Sequence, residues 1–223
     1  MIAIIVPAHN EQDFISGCIE SLIAAAAHPA LDGEPVRIVI VMDACTDGTA
    51  QVVSSYPVQA LSVDFHNVGK SRAAGADAML SQGARWLAFT DADTLVPPSW
   101  LADQLDCATD AVCGTVKVDD WSLHPDPVRT RYDSLYTPVE GHRHIHGANL
   151  GVSAQSYLRV GGFKPLPAHE DVILVADLEA SGATIKWTTK NCVTTSARID
   201  CRCREGFGDY LRSLVVTPSL DIG

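Results

Sequence analysis

The chain has 223 residues, of which 47% are hydrophobic and 19% are charged. This length and composition predict a globular protein with one sizeable core, not a disordered or low-complexity chain. The formal net charge is −11, from 27 acidic and 16 basic residues. Such a charge opposes attraction to nucleic-acid phosphates and anionic lipids, so we expect no nucleic-acid partner.

No apolar run in the sequence approaches the roughly 18 residues that a bilayer-spanning helix needs. The opening stretch MIAIIVPAHNE has neither the basic flank nor the cleavage site of a signal peptide. We therefore expect a cytoplasmic protein without an integral membrane segment, which can contact a membrane only peripherally.

The seven cysteines are odd in number and show no paired CxxC spacing, which favours reduced and mostly buried thiols. Cys201 and Cys203, in the stretch CRCR, could ligate a metal ion. Alternation along a strand explains the same spacing, because it places both side chains on one side.

Up to residue 118, short apolar runs alternate with segments of helical spacing. Four apolar runs predict strands: residues 2–8, 36–43, 58–64 and 85–91. The segments between them predict helices: residues 11–27, 47–56 and 69–83. Strands that alternate with helices are typical of an α/β fold with a mainly parallel central sheet flanked by helices.

A helix is predicted from the Pro97-Pro98 pair to about Cys107, followed by a strand over residues 111–119. Beyond about residue 118, the regular alternation of strands and helices ends. Residues 121–151 mix proline, histidine and aromatic residues. Two helices (153–163 and 169–182) and two late strands (183–187 and 192–197) are predicted after them. We expect a single domain, residues 1–223, with a Rossmann-like nucleotide-binding half and a less regular second half.

Two carboxylates, Asp91 and Asp93, follow the fourth predicted strand in the stretch FTDADT. In an extended backbone, residues i and i+2 point to the same side, so both carboxylates can converge on one point. That point lies at the carboxyl end of a strand, which borders the ligand crevice in open α/β sheets. A hard cation such as Mg²⁺ or Mn²⁺ would relieve their mutual repulsion. The alternative is a helix cap and a solvated turn acid.

Three further polar clusters fall at the same predicted edge of the sheet. Residues 9–11 follow the first strand, Asp43 ends the second strand, and residues 67–72 precede the third helix. Coincidence explains one such cluster far better than four. We therefore expect a ligand site at this edge.

The motifs VPAHNE, VMDACTDGT, NVGKSRAAG, FTDADT, GANLGVSAQSYLRVGGF and HEDVILVADLEASG occur in this order. Together they resemble the family 2 glycosyltransferases with the GT-A fold, over about residues 2–188. The resemblance implies an enzyme that inverts the anomeric centre while it moves a sugar from a nucleoside diphosphate to an acceptor hydroxyl. It also implies Mg²⁺ or Mn²⁺ as cofactor, UDP as the favoured nucleotide, and an acceptor-binding half over about residues 119–223.

Carried over residue by residue, the resemblance assigns three sets of side chains. The residues implied to border the donor nucleotide are Pro7, Ala8, His9, Glu11, Asp43, Lys70, Arg72 and Asp91. Asp91 and Asp93 match the DxD motif, in which the second acid is the more direct metal ligand. Many GT-A enzymes add a later histidine ligand, but no histidine follows His169; His146, His169 or water could complete the metal shell instead.

Asp171, in the stretch HED, matches the usual catalytic base of the family, and Glu170 is the alternative. Inversion in one displacement needs a base on the face of the sugar opposite the leaving group. A metal ion can stabilise the departing diphosphate, so no general acid is required. The alternative role of both residues is that of first-turn acids favoured by the helix dipole.

Several readings stay open beside the transferase. A dinucleotide-dependent oxidoreductase or a P-loop NTPase should show a glycine motif that this sequence lacks. A sugar-phosphate nucleotidyltransferase normally has a basic, glycine-rich loop where HNEQD stands here. A non-catalytic sugar-nucleotide or glycan-binding protein could share the fold.

Two further features in the second half of the sequence have more than one reading. His142, His144 and His146 alternate, so they could form an acceptor or metal surface or a solvated strand face. Arg198 could meet a phosphate or an acidic acceptor, or it could balance charge on a solvated face.

Overall fold

The structure is a computed structural model that describes residues 1–118, 120–198 and 207–215. Cys201 and Cys203 lie outside these residues. The strands are β1 (Ile2–Ala8), β2 (Val36–Asp43), β3 (Gln59–Val63), β4 (Trp86–Phe89), β5 (Thr94–Leu95), β6 (Ala111–Val118), β7 (Leu150–Ser153) and β8 (Ile185–Thr195). The helices are α1 (Ile15–Ala26), α2 (Thr49–Ser54), α3 (Val68–Leu80), α4 (Trp100–Asp106), α5 (Asp126–Leu135), α6 (Ala154–Val160), α7 (Glu170–Ala180) and α8 (Phe207–Ser213). A short 3₁₀ helix covers Pro29–Leu31.

The described strands form one mixed sheet in the order β3-β2-β1-β4-β7-β6-β8-β5. Strands β3, β2, β1 and β4 are mutually parallel, as the alternation of strands and helices predicts. Strand β7 runs antiparallel between β4 and β6, β8 is parallel to β6, and β5 is antiparallel to β8. The predicted α/β fold with a mostly parallel sheet between helices is confirmed.

The central strands are buried on both faces, which is why they read as continuous apolar runs. Ile2, Ile4 and Val6 of β1 pack in the core that contains α1, whereas Ala3 and Ile5 pack in the core that contains α3. Helix α3 lies very close to the sheet. A Cβ added at Gly75 would lie 2.6 Å from Cγ2 of Ile5 and 2.9 Å from Cγ2 of Val41.

The second half contains elements that the sequence did not predict. Helix α5 lies within the irregular segment 121–151, and β7 ends that segment. The two predicted late strands are one continuous strand, β8, whose pairing with β6 shifts register between Cys113 and Thr115. No helix among the described residues is long and apolar enough to cross a bilayer.

A buried polar network connects residues before and after residue 118 at the register shift. The side chain of Asn149 donates to the carbonyl oxygens of Thr115 (2.8 Å) and Asn191 (3.0 Å) and accepts from Nε1 of Trp100 (2.9 Å). A Cβ at Gly114 would lie 2.2 Å from Nδ2 of Asn149, so only glycine leaves room for the amide. Trp100 is completely buried and serves the core.

Candidate active site

The loops after β1 and β2 are bound to each other by side-chain hydrogen bonds. Oδ1 of Asn10 accepts from the amides of Thr46 (2.7 Å) and Asp47 (3.2 Å), and Oε1 of Gln12 accepts from the amide of Gly48 (2.8 Å). Asn10 and Ala44 adopt positive φ angles of 56° and 50°. Left-handed backbone at non-glycine residues is costly and clusters at functional sites.

The residues expected to border the donor at the end of β1 lie at this edge. Pro7 and Ala8 are the last residues of β1 and pair with β2. Nδ1 of His9 lies 2.6 Å from the carbonyl oxygen of Asp43, and its ring lies 6.1 Å from that of His66. The ends of β1 and β2 and the loop after β3 therefore meet, as predicted.

Asp43 uses both carboxylate oxygens within the protein. Oδ1 accepts from the amides of Phe65 (2.7 Å) and His66 (2.9 Å), and Oδ2 accepts from the amide of Asn67 (2.9 Å) and the hydroxyl of Ser71 (2.8 Å). Burial opposes ionisation of Asp43, but these hydrogen bonds outweigh it and hold its pKa below the ordinary value. Asp43 thus orders the loop before α3, and its expected contact with base or ribose stays a prediction.

Lys70 lies in the first turn of α3 with an exposed side chain. Its backbone amide donates to Oδ1 of Asn67, which caps the helix, at 2.8 Å. Its Nζ lies 6.0 Å from the centre of the Phe65 ring. The exposed ammonium group can therefore approach an anion at this edge.

The guanidinium group of Arg72 joins the two halves of the chain. Its Nη2 donates to Oδ1 of Asp91 at 2.6 Å, and its Nη1 donates to Oε1 of Glu170, the first residue of α7. The side chain of Arg72 is only 5% exposed. A Cβ at Gly147 would lie 2.4 Å from Nη2, so Gly147 covers the guanidinium. Arg72 pairs with two acids of the protein, and its expected contact with base or phosphates stays a prediction.

Asp171 and Glu170 differ sharply in their surroundings although they are neighbours. Glu170 is buried, and burial raises its pKa despite the charge of Arg72. Asp171 is partly exposed; its Oδ2 accepts from the amide of Gly147 at 2.7 Å, and its Oδ1 accepts from the amide of Val172 at 2.8 Å. His169, before the helix, adopts a φ of 60°. Asp171 is thus the more accessible carboxylate and has no ion pair with Arg72.

The DxD stretch does not continue β4. The strand ends at Phe89, and the amide of Thr94 donates to the carbonyl oxygen of Asp91 (3.1 Å), so the backbone turns over residues 91–94. The expected extended backbone over Asp91–Asp93 is therefore wrong, and the convergence of both carboxylates on one metal ion stays a prediction. The two carboxylates contact different arginines: Asp91 binds Arg72, and Oδ2 of Asp93 lies 3.2 Å from Nη2 of Arg198.

Arg198 also binds Glu11 through two parallel contacts of 2.6 and 2.7 Å. Asp93 is nearly buried, with 13% of its side chain exposed. Burial raises the pKa of Asp93 to about 7; the charge of Arg198 lowers it, and the charges of Asp91 and Glu11 raise it further. The acids at the end of β4 therefore lack full charge compensation from the protein.

A comparison with known protein families identifies the family of this chain. The model for "Glycosyl transferase family 2" matches residues 3–159, which is more than half of the chain. The chain belongs to glycosyl transferase family 2. The matched residues include the DxD stretch and Arg72 but end before Glu170 and Asp171. No curated protein sequence matches the chain.

Two solved structures with similar folds were determined with a sugar nucleotide bound. TarS from S. aureus, residues 1–349 in complex with UDP-GlcNAc, has a TM-score of 0.69 and 15% identity over 92% of this chain and 61% of that chain. The mannosyltransferase PcManGT from Pyrobaculum calidifontis, in complex with GDP-Man and Mn²⁺, has a TM-score of 0.64 and 20% identity over 89% and 57%. The present chain thus spans about three fifths of the length of these relatives. At these identities the likeness establishes the GT-A fold.

For a family 2 enzyme, the protein ligands for a metal are few. Within the part of the chain that the structure describes, no three His, Cys, Asp or Glu side chains are arranged to hold a metal ion. His146 does not complete such a set with Asp91 and Asp93; its Nε2 lies 3.1 Å from the hydroxyl of Tyr136. Carboxylate oxygens do suit Mg²⁺ and Mn²⁺, and Mg²⁺ commonly binds one or two carboxylates plus substrate phosphates. The DxD acids fit that pattern, in which phosphates and water would supply the other ligands.

The three alternating histidines form a ring stack, not a strand face. Residues 142–146 lie in a loop, with ring centres 5.5 Å apart for His142 and His144 and 6.2 Å apart for His144 and His146. Burial and repulsion from the other two histidines lower the pKa of His146 to about 4. The stack is therefore neutral at His146 at ordinary pH and packs against Tyr136.

Two site residues were not predicted as such. Gly147 covers Arg72 and donates to Asp171, and the motif GANLG gave no hint of either role. Arg198 was considered for a phosphate or a solvated face, but its partners are 187 residues earlier in sequence and in the DxD stretch. No local pattern signals a contact over that separation.

Proposed function

We propose that the chain transfers a sugar, with inversion, from a nucleoside diphosphate sugar to an acceptor hydroxyl, and that it uses Mg²⁺ or Mn²⁺. One observation carries the proposal. The buried guanidinium of Arg72 binds Asp91 of the DxD stretch and Glu170 next to the candidate base. In this proposal the end of β4 that faces the donor and the base at the start of α7 are therefore held in a fixed relation, as a single displacement requires.

The donor is proposed to lie along the ends of β1, β2 and β4, where Pro7, Ala8 and His9 form one wall. Lys70 offers an exposed ammonium group for the phosphates. UDP is the favoured nucleotide. TarS was crystallised with UDP-GlcNAc and PcManGT with GDP-Man, so related folds accept both bases. The sugar and the acceptor are left open.

Asp93 is proposed as the direct metal ligand, and Asp91 as the acid that contacts donor or metal while Arg72 orients it. A bound Mg²⁺ or Mn²⁺ supplies positive charge to the departing diphosphate. Asp93 suits this role because it is nearly buried beside two other acids, so a cation offsets its repulsion. PcManGT in complex with Mn²⁺ supports the choice of metal.

Asp171 is proposed to take the proton from the acceptor hydroxyl. Its two hydrogen bonds come from backbone amides and fix the carboxylate while leaving lone pairs free for an acceptor. Glu170 is proposed as a positioning residue, because its carboxylate is committed to Arg72. The cytoplasmic location and a boundary between two halves at about residue 118 stay predictions of the sequence.

The test is the variant Asp171→Asn. We expect it to bind the nucleotide normally and to lose transfer by about 10² to 10⁴-fold, the usual contribution of a general base. Binding is measured by calorimetry with UDP and GDP in Mn²⁺, and turnover by nucleoside diphosphate release from a panel of UDP- and GDP-sugars.

The matched control is Glu179→Gln, which makes the same carboxylate-to-amide change on α7 at an exposed ion pair with Arg143. This variant should turn over normally. Near-normal turnover by Asp171→Asn would remove Asp171 from the role of base. Nucleotide binding without any turnover in the wild type would instead favour the non-catalytic binding protein.

A further inference from the structure

Arg198 takes part in an ion-pair cluster that the proposed reaction does not explain. Its guanidinium makes a two-pronged contact with Glu11 and a third contact with Oδ2 of Asp93, the proposed metal ligand. It also lies 5.3 Å from the centre of the Phe14 ring. The side chain is 18% exposed, so these contacts form largely away from solvent.

The cluster is built to hold one positive charge between two acids. Glu11 is anchored by its backbone amide, which donates to Oγ1 of Thr49 at 2.7 Å, and its side chain is 6% exposed. A planar guanidinium matches a carboxylate with two parallel hydrogen bonds, which an ammonium group cannot do. Arg198 is therefore held mainly by Glu11, while its third contact reaches Asp93.

The contact with Asp93 is the longer one, at 3.2 Å compared with 2.6 and 2.7 Å for Glu11. Arg198 can thus lose its contact with Asp93 while it keeps its ion pair with Glu11. A divalent cation bound to Asp93 would lie beside this guanidinium and repel it.

We propose that Arg198 is a resident counter-ion of Asp93 and competes with the divalent cation for that carboxylate. The inference rests on the proposed function, because it takes Asp93 as a metal ligand. Without metal, Arg198 compensates the charge of Asp93. When a divalent cation binds, Arg198 withdraws from Asp93 and keeps its contact with Glu11. Arg198 thereby weakens the binding of metal alone.

The test measures Mn²⁺ binding to the metal-free protein without nucleotide. The electron paramagnetic resonance signal of free Mn²⁺ reports how much of the metal is unbound. Arg198→Gln should bind Mn²⁺ about tenfold more tightly than the wild type, within the usual range for coupling between two bound groups. Arg143→Gln is the matched control, since it removes the same charge from an exposed pair with Glu179. It should bind Mn²⁺ as the wild type does.

Asp93→Asn, made in the wild type and in Arg198→Gln, separates the two hypotheses. We expect it to abolish the gain from Arg198→Gln. If the wild type and Arg198→Gln bind Mn²⁺ equally, and Asp93→Asn weakens binding in both, Arg198 does not compete with the metal. Asp93 would then still be a metal ligand. If Asp93→Asn leaves Mn²⁺ binding unchanged, Asp93 is not a metal ligand.

Circular dichroism verifies that each variant is folded. If Arg198→Gln does not fold, Arg198→Lys carries the test, because it keeps the charge and loses the two-pronged contact with Glu11. It should bind Mn²⁺ more tightly than the wild type, because its weaker hold on the cluster makes it easier to displace. Binding equal to or weaker than that of the wild type overturns the proposal.

Discussion

Replacing Arg72 with methionine should destabilise the protein strongly, because it leaves two acids without their cation. Glu170 is 6% exposed and Arg72 is 5% exposed, so the charge of Glu170 would be left buried. Removing one partner of a buried ion pair costs about 3 to 5 kcal/mol. Asp91 is 36% exposed and adds little, because water screens it. For a chain of this size the loss corresponds to a fall in Tm of roughly 6 to 20 °C.

The loss should depend on pH in a defined direction. Burial already raises the pKa of Glu170, and Arg72 opposes that rise. Without Arg72 the pKa of folded Glu170 rises further above its value in the unfolded chain. An acid whose pKa is raised by folding destabilises the folded state as pH rises through that range. Arg72→Met should therefore be most destabilising near pH 8 and less so near pH 5.

Urea denaturation at several pH values measures both effects. The matched control is the double variant Arg72→Met with Glu170→Met, which removes both charges and should recover most of the stability. A loss below about 1 kcal/mol for Arg72→Met, the scale of an exposed ion pair, would refute the buried-pair reasoning. An equally large loss at pH 5 and pH 8 would also refute it, because the unpaired charge of Glu170 would not be the cause.

Two further substitutions, one of them with a control in α1, test the surroundings of the site. Gly147→Ala places a Cβ 2.4 Å from Nη2 of Arg72; we expect a loss of about 1 to 3 kcal/mol in urea denaturation and reduced sugar-nucleotide turnover. Gly17→Ala, whose Cβ would lie 3.4 Å from Leu95, should be neutral or stabilising, and equal effects of both would contradict the crowding. Asp43→Asn should cost about 3 kcal/mol at pH 7, because an amide cannot accept four hydrogen bonds. Folding lowers the pKa of Asp43, so its contribution to wild-type stability is present above the unfolded pKa and is lost as pH falls through the lower folded pKa; an Asp43→Asn penalty that does not shrink as the solution is acidified would contradict this.

The first half of the fold was predictable because its strands are buried on both faces. A strand in that position has apolar residues throughout, so β1 and β2 read directly from the sequence with their observed bounds. Helix α5 was not predicted, because only Val128 and Tyr132 of its ten residues are buried. Two buried positions do not show a helical periodicity in the sequence. Strand β5 has two residues, which is too short for a period to show, and β7 (LGVS) carries a glycine that weakens the strand pattern.

The position of the site was predictable, whereas its ion pairs were not. Carboxyl ends of parallel strands meet at one edge, so the convergence of the loops after β1 and β2 follows from topology. Arg72 and Glu170 are 98 residues apart, and Arg198 and Glu11 are 187 residues apart. Which cation meets which acid depends on how the second half folds back over the first, and no local pattern contains that information.

The arrangement of charges gives a physical reason for the metal dependence that we propose. Each of the two site arginines is shared by two acids: Arg72 by Asp91 and Glu170, Arg198 by Glu11 and Asp93. The acids in these pairs therefore outnumber the guanidinium groups, before Asp171 is added. A nucleoside diphosphate brings more negative charge to the same edge, where partial burial strengthens repulsion. In our proposal the cation is thus needed for the diphosphate to bind beside Asp93 at all, in addition to any effect on the departing group.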